Sequence, residues 1–145
     1  MPKIVCNQFK KMGEEGDFSW MIRQPQHIDS LFIFNDDVES VENCKAGKGN
    51  AVIRTYNQYN KHLAVPRSAG IPTGTRKAGG FKSLDETSKK HVDDAVYKIV
   101  ELNKKFKYDK IFYSGDDSGG LATCLFDVDK SVKHYITLKL ISLDS

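Results

Sequence analysis

The chain has 145 residues, 22 of them basic and 19 acidic, for a formal net charge of +3. That length suits one hydrophobic core, and 39% apolar with 28% charged residues excludes extended disorder. The basic residues are interspersed with acidic ones, and the pI is near 8.7, a balance that points to a small anionic ligand ahead of a nucleic-acid duplex.

The N-terminus is charged too early for a signal peptide, and no run approaches the roughly 18 apolar residues of a membrane span. Cys6, Cys44 and Cys124 form no CxxC pair and read as reduced thiols. The expectation is one cytoplasmic domain, residues 1–145, without a membrane partner.

Apolar runs predict strands at Lys3–Asn7, 30–35 (SLFIFN), 62–66 (HLAVP) and Lys110–Ser114 (KIFYS), with a weaker candidate at 18–23. SLFIFN and KIFYS are continuously apolar, as central strands covered on both faces should be. Segment 50–60 fits either an alternating strand or a short amphipathic helix capped by Asn50. The helix is favoured, because a glycine-rich loop precedes it. A long helix is predicted over 84–103, with Ser83 and Glu86 as a capping box and Val92, Ala95, Val96, Ile99 and Val100 as its apolar stripe. A last helix is predicted over 130–143, capped by Asp129, with Val132, Tyr135, Ile136, Leu140 and Leu143 inward. Alternating strands and helices imply an α/β sandwich with a mixed, mostly parallel sheet.

Three glycine-bearing loops adjoin these strands: 35–50, 68–80 and 114–123. Ligands of open α/β sheets bind beyond the carboxyl ends of strands, where glycines let backbone amides close on phosphate. The first loop ends in Gly47, Lys48, Gly49 and Asn50, which matches neither a P-loop nor a dinucleotide fingerprint. It reads as a glycine turn before a helix, or as a plain hinge. In the third loop, Asp116 and Asp117 are read as turn formers, so no metal is expected. No nucleophile elbow, zinc-protease or deaminase motif is present, the four histidines are dispersed, and no cofactor or catalytic residue is assigned. Arg54, Arg67, Arg76 and Lys77 are candidate phosphate contacts. Tyr56, Tyr59, Phe81 and Tyr113 are candidate base-stacking residues, with core packing an equal reading for the last two.

The order SLFIFND, AGKGNAVIR, helix, KIFYS, SGDDSGGLATCLF, helix resembles the macro domain family, which binds ADP-ribose on a three-layer α/β/α fold; AVPRSAGIPTG is similar to a stretch of bacterial and phage macro-like proteins. The resemblance implies that Asn35 and Asp36 meet a ribose. It places Gly47, Gly49 and Asn50 at the family's glycine run, and Ser114, Gly115, Gly119, Gly120 and Leu121 at its phosphate-wrapping loop. This sequence lacks the family's N-A-A-N, its glycine run is interrupted by Lys48, and its last loop carries an extra acidic pair. Arg54, Gly70, Thr73, Gly74, Thr75 and Arg76 join the expected ligand contacts as residues of neighbouring loops, the second loop serving as a lid.

The function so implied is binding, or sequestration, of ADP-ribose or a related nucleotide signal, in the setting of a phage counter-defence protein. A macro-like hydrolase of ADP-ribosyl or phosphate ester bonds, with water held by Asp36 or Asn50, is the alternative; a protein or nucleic-acid interaction module is the third reading.

Overall fold

In the computed structural model, residues 2–115, 122 and 127–144 are described. Their scaffold is a four-stranded parallel sheet of β1 (Lys3–Asn7), β2 (Ser30–Asp36), β3 (Ser68–Pro72) and β6 (Lys110–Ser114), in the order β1-β6-β2-β3. The two continuously apolar strands, β2 and β6, are the central ones. Their side chains alternate between two cores. Leu31, Ile33, Ile111 and Tyr113 face one, while Phe32, Phe34 and Phe112 face the other.

Helices α2 (Glu86–Phe106) and α3 (Lys130–Ile141) cover the first face. Val92, Ala95, Val96 and Ile99 are buried as the stripe requires, and Val132, Ile136 and Leu140 anchor α3. Tyr135 of α3 donates its hydroxyl to Asp93 Oδ1 of α2 at 2.7 Å. Asp129 caps α3 by accepting from the Ser131 amide at 3.0 Å. The cap of α2 differs from the expected one. The N-cap is Asp85, which accepts from the Ser88 amide at 2.9 Å, while the Asp85 amide donates to Ser88 Oγ at 3.0 Å. Glu86 is thereby the first helical residue, and Ser83 lies outside the box, donating to Asp85 Oδ2 at 3.1 Å.

On the second face lie α1 (Phe18–Met21) and a 3-10 helix, Gly49–Tyr56. Residues 18–23 do not form the candidate strand. Phe18, Met21 and Ile22 recur at helical spacing and all are buried, with Asp17 as N-cap. Segment 50–60 is helical as favoured but wound as 3-10, and Asn50 sits inside it, behind an N-cap at Lys48 that makes no side-chain bond. Ala51, Ile53 and Arg54 are its buried residues.

The predicted strand at 62–66 is absent; turns occupy that stretch and Val65 is 43% exposed. The strand is SAGIP instead, at the sheet edge, where Pro72 ends the ladder without loss of a central hydrogen bond. The second glycine loop is therefore part strand. Its remainder is a small hairpin, β4 (Gly74–Thr75) with β5 (Gly79–Gly80).

All four long strands end at the same side of the sheet, at Asn7, Asp36, Pro72 and Ser114. No helix among the described residues is long and apolar enough to cross a membrane.

Candidate functional site

Where β2 ends, a cleft of about 810 Å³ opens between the strand tip, the turn at residues 43–48 and the hairpin. Of the residues expected to contact ligand, Asn35, Asp36, Gly47, Arg54 and Arg76 line it. Its base is an ion pair inside the protein: Arg54 Nη2 donates to Asp36 Oδ1 at 2.5 Å and Nε reaches Oδ2 at 3.4 Å, the residues being 5% and 3% exposed. Arg54 Nη1 also donates to the Lys45 carbonyl at 3.1 Å, so one guanidinium ties the 43–48 turn to the strand end. Burial raises the Asp36 pKa above its usual range; the hydrogen bond and charge of Arg54 oppose that rise, as does the Asp37 amide.

Two glycines make this pair possible. A Cβ on Gly70 would lie 2.9 Å from Asp36 Oδ2, and one on Gly47 would lie 2.8 Å from Arg54 Nη1. Gly70 thus backs the carboxylate from β3, and Gly47 admits the guanidinium.

Asp37 follows on the rim. Its Oδ1 is a buried oxygen without a hydrogen-bond partner among the described residues, but the carboxylate faces two cations, Arg76 Nε at 3.5 Å from Oδ1 and Arg54 Nη2 at 3.9 Å from Oδ2. Arg76 is otherwise tied down: its amide donates to Glu39 Oε1 at 3.1 Å and Nη2 donates to Ser40 Oγ at 2.6 Å. These bonds dock the hairpin tip against the segment after β2. Lys45 and Lys48 also line the cleft; both are exposed, and neither makes an ion pair among the described residues. Sequence reasoning missed Asp37, Lys45 and Lys48. Lys48 was visible only as an interruption of a glycine run, and Asp37 as a neighbour of Asp36.

Other expected contacts sit elsewhere. Gly49 and Asn50 open the 3-10 helix beside the cleft without lining it. Thr73 is fully buried, its amide donating to the Asp36 carbonyl at 2.9 Å and its hydroxyl facing the same oxygen at 3.4 Å, so it braces the strand end and offers no hydroxyl to a ligand. Gly74 pairs with Gly80 in the hairpin, and Thr75 Oγ1 accepts from the Ala78 amide at 2.9 Å, closing its turn. Ser114 and Gly115 are buried at the end of β6, Gly115 donating to the Asn7 carbonyl at 3.1 Å. Gly119, Gly120 and Leu121 lie outside the described residues, as do Asp116, Asp117 and Thr123.

Arg67 cannot reach the cleft. It donates to the Ser30 and His27 carbonyls, at the opposite end of β2. Tyr113 is core, and Phe81 packs on His91 with ring centroids 6.1 Å apart. Tyr56 packs partly against the second core, and Tyr59 lies under Lys98. Among the described residues no cluster of His, Cys, Asp and Glu is arranged to hold a metal.

The cleft can hold an anion through lysine and arginine cations while offering a carboxylate to a hydrogen-bond donor. No protein-family model, curated protein or solved structure matches the chain.

Proposed function

We propose that the protein binds ADP-ribose or a related nucleotide signal in the cleft at the end of β2. The observation that carries this is a cleft of about 810 Å³ lined by Lys45, Lys48, Arg54 and Arg76 against Asp36 and Asp37, at the carboxyl end of a central parallel strand. Ligand sites of α/β sheets occur at such strand ends, and clefts of about 300–1,000 Å³ suit ligands of nucleotide size. The helices on one sheet face and the short helical segments on the other agree with the three-layer, macro-domain-like arrangement that the sequence resemblance implies.

Binding is favoured over hydrolysis by the state of Asp36. A residue holding a water against a scissile bond must present its carboxylate to the cleft, whereas Asp36 is held by Arg54 and the Asp37 amide. Sequestration without turnover is the corresponding role.

The test is a thermal-shift screen against ADP-ribose, NAD, cyclic nucleotides and cyclic ADP-ribose isomers. A ligand at about 100 times its Kd stabilises the fold by about 2.7 kcal/mol, a readily measured rise in melting temperature. A flat response to all of them refutes the proposal, and recovery of cleaved product in place of intact ligand refutes the binding-only role.

A further inference from the structure

A second cavity, of about 100 Å³, lies at the outer edge of β3 and shares no lining residue with the cleft. One of its walls is the open edge of the sheet. The Phe32 amide donates to the Arg67 carbonyl and the Thr73 amide to the Asp36 carbonyl, both at 2.9 Å, so Ala69 and Ile71 between them turn their backbone groups toward β2. Alternation along the strand turns those of Ser68, Gly70 and Pro72 outward. Ser68 and Pro72 are buried, whereas Gly70 is half-exposed and lines the cavity. Its outward N–H and C=O are therefore within reach of an occupant, and neither has a hydrogen-bond partner among the described residues.

The facing wall is α2, from which His91, Asp94 and Lys98 line the cavity along one side of the helix. This helix runs antiparallel to β3. Near its C-terminus, Leu102 and Phe106 meet Pro66, which precedes the strand. At its other end, Phe81 stacks on His91 and donates its amide to the carbonyl of Thr73, just past the strand, at 2.9 Å. The Gly70 N–H precedes its C=O in the chain, so Lys98 lies toward the donor and Asp94 and His91 lie toward the acceptor. Lys98 Nζ sits 5.6 Å from the Tyr59 ring centroid and has no carboxylate partner among the described residues; Asp94 is paired with the exposed Lys90 at 3.0 Å. The third wall is braced by Asn57, whose Oδ1 accepts from the Tyr59 amide at 3.0 Å and whose Nδ2 donates to the Asn43 carbonyl at 2.8 Å.

We infer that this cavity binds a small free α-amino acid, with its carboxylate on the Gly70 N–H and Lys98 and its ammonium on the Gly70 C=O and Asp94. A strand residue that exchanges both hydrogen bonds with a partner takes a C=O and an N–H flanking a single Cα, which is the skeleton of an α-amino acid. A cation beside the backbone donor and an anion beside the acceptor favour the zwitterion over an uncharged peptide residue. The volume limits the side chain: a cavity of about 150 Å³ accommodates benzene, so one of about 100 Å³ suits glycine, alanine or serine and rejects leucine. The site is independent of the nucleotide-binding cleft, and either can stand without the other.

Amide NMR titration of the isotope-labelled full chain tests it, with L-alanine, L-leucine and N-acetylalanine amide as probes. L-alanine is expected to shift the Gly70 amide resonance saturably, and the other two to bind at least about tenfold more weakly. Lys98→Met and Asp94→Asn, which remove charge from side chains that are half-buried and exposed, are each expected to weaken L-alanine by about tenfold. Neither should change the response to ADP-ribose, and melting curves establish that both remain folded. Absence of a saturable shift at Gly70 overturns the inference. So does equal binding of the capped amide, which would assign the site to a peptide residue, or equal binding of leucine. Parent-like affinity in either variant overturns the pairing of charges on which the zwitterion rests.

Discussion

Replacing Arg54 by Met tests whether the base of the cleft is held by charge. The substitution keeps most of the side-chain length but removes Nη2–Oδ1 at 2.5 Å, Nε–Oδ2 at 3.4 Å and the bond to the Lys45 carbonyl at 3.1 Å. Because Asp36 is only 3% exposed, its charge is left without compensation inside the protein. Breaking such a pair by deleting one partner destabilises a fold by about 3–5 kcal/mol.

The loss should also depend on pH. Burial already raises the Asp36 pKa, and Arg54 is the charge that opposes the rise. For a carboxyl whose folded pKa exceeds its unfolded one, the folded state holds the extra proton in the window between the two. Its contribution to stability therefore falls as pH climbs through that window and is constant outside it. Without Arg54 the window extends upward, so the difference between parent and Arg54→Met should be smaller near about pH 5 than near about pH 8. Urea denaturation at both values measures it. The double variant D36N/R54M, which removes the buried charge as well, should be more stable than R54M alone at the higher pH. A loss under about 1 kcal/mol, or one that does not change with pH, would refute the buried-pair account.

Gly70→Ala should destabilise the fold by about 1–3 kcal/mol, because its Cβ would press on Asp36 Oδ2 at 2.9 Å and on Phe34 Cε2 at 3.0 Å; thermal melts read the loss, and ADP-ribose affinity should fall with it as Asp36 is displaced. Ser88→Ala should cost about 1 kcal/mol, since Ser88 Oγ accepts from the Asp85 amide and donates to the Ser83 carbonyl, whereas Ser83→Ala should be nearly silent in the same denaturation assay. A larger effect at Ser83 would restore it as the cap.

Among the motifs, the DD of the third loop lies outside the described residues, while NDD and GKGN line or adjoin the cleft. The long continuous runs were legible because burial on both faces leaves no polar position in a strand: SLFIFN and KIFYS had to be central, and they are. The stripe of α2 and the cap of α3 were equally local, written in spacing and in one side chain next to the backbone it caps. The edge strand was not, because SAGIP carries the Gly and Pro that argue against a strand while HLAVP carries none of the partners that make one.

The sequence by itself determined the α/β class, the two central strands and the two packed helices, since periodicity states which face of an element is apolar. Only the tertiary structure decided which polar residues meet. It joined Asp36 to Arg54 across 18 positions, tied Arg76 back to Ser40 across 36, and sent Arg67 to the far end of β2. Such pairings arise from sheet order and loop path, and a charge has no periodicity that announces its partner. For the same reason Lys45 and Lys48 read as ordinary solvated lysines until the fold set them on the cleft that Asp36, Asp37, Arg54 and Arg76 also line.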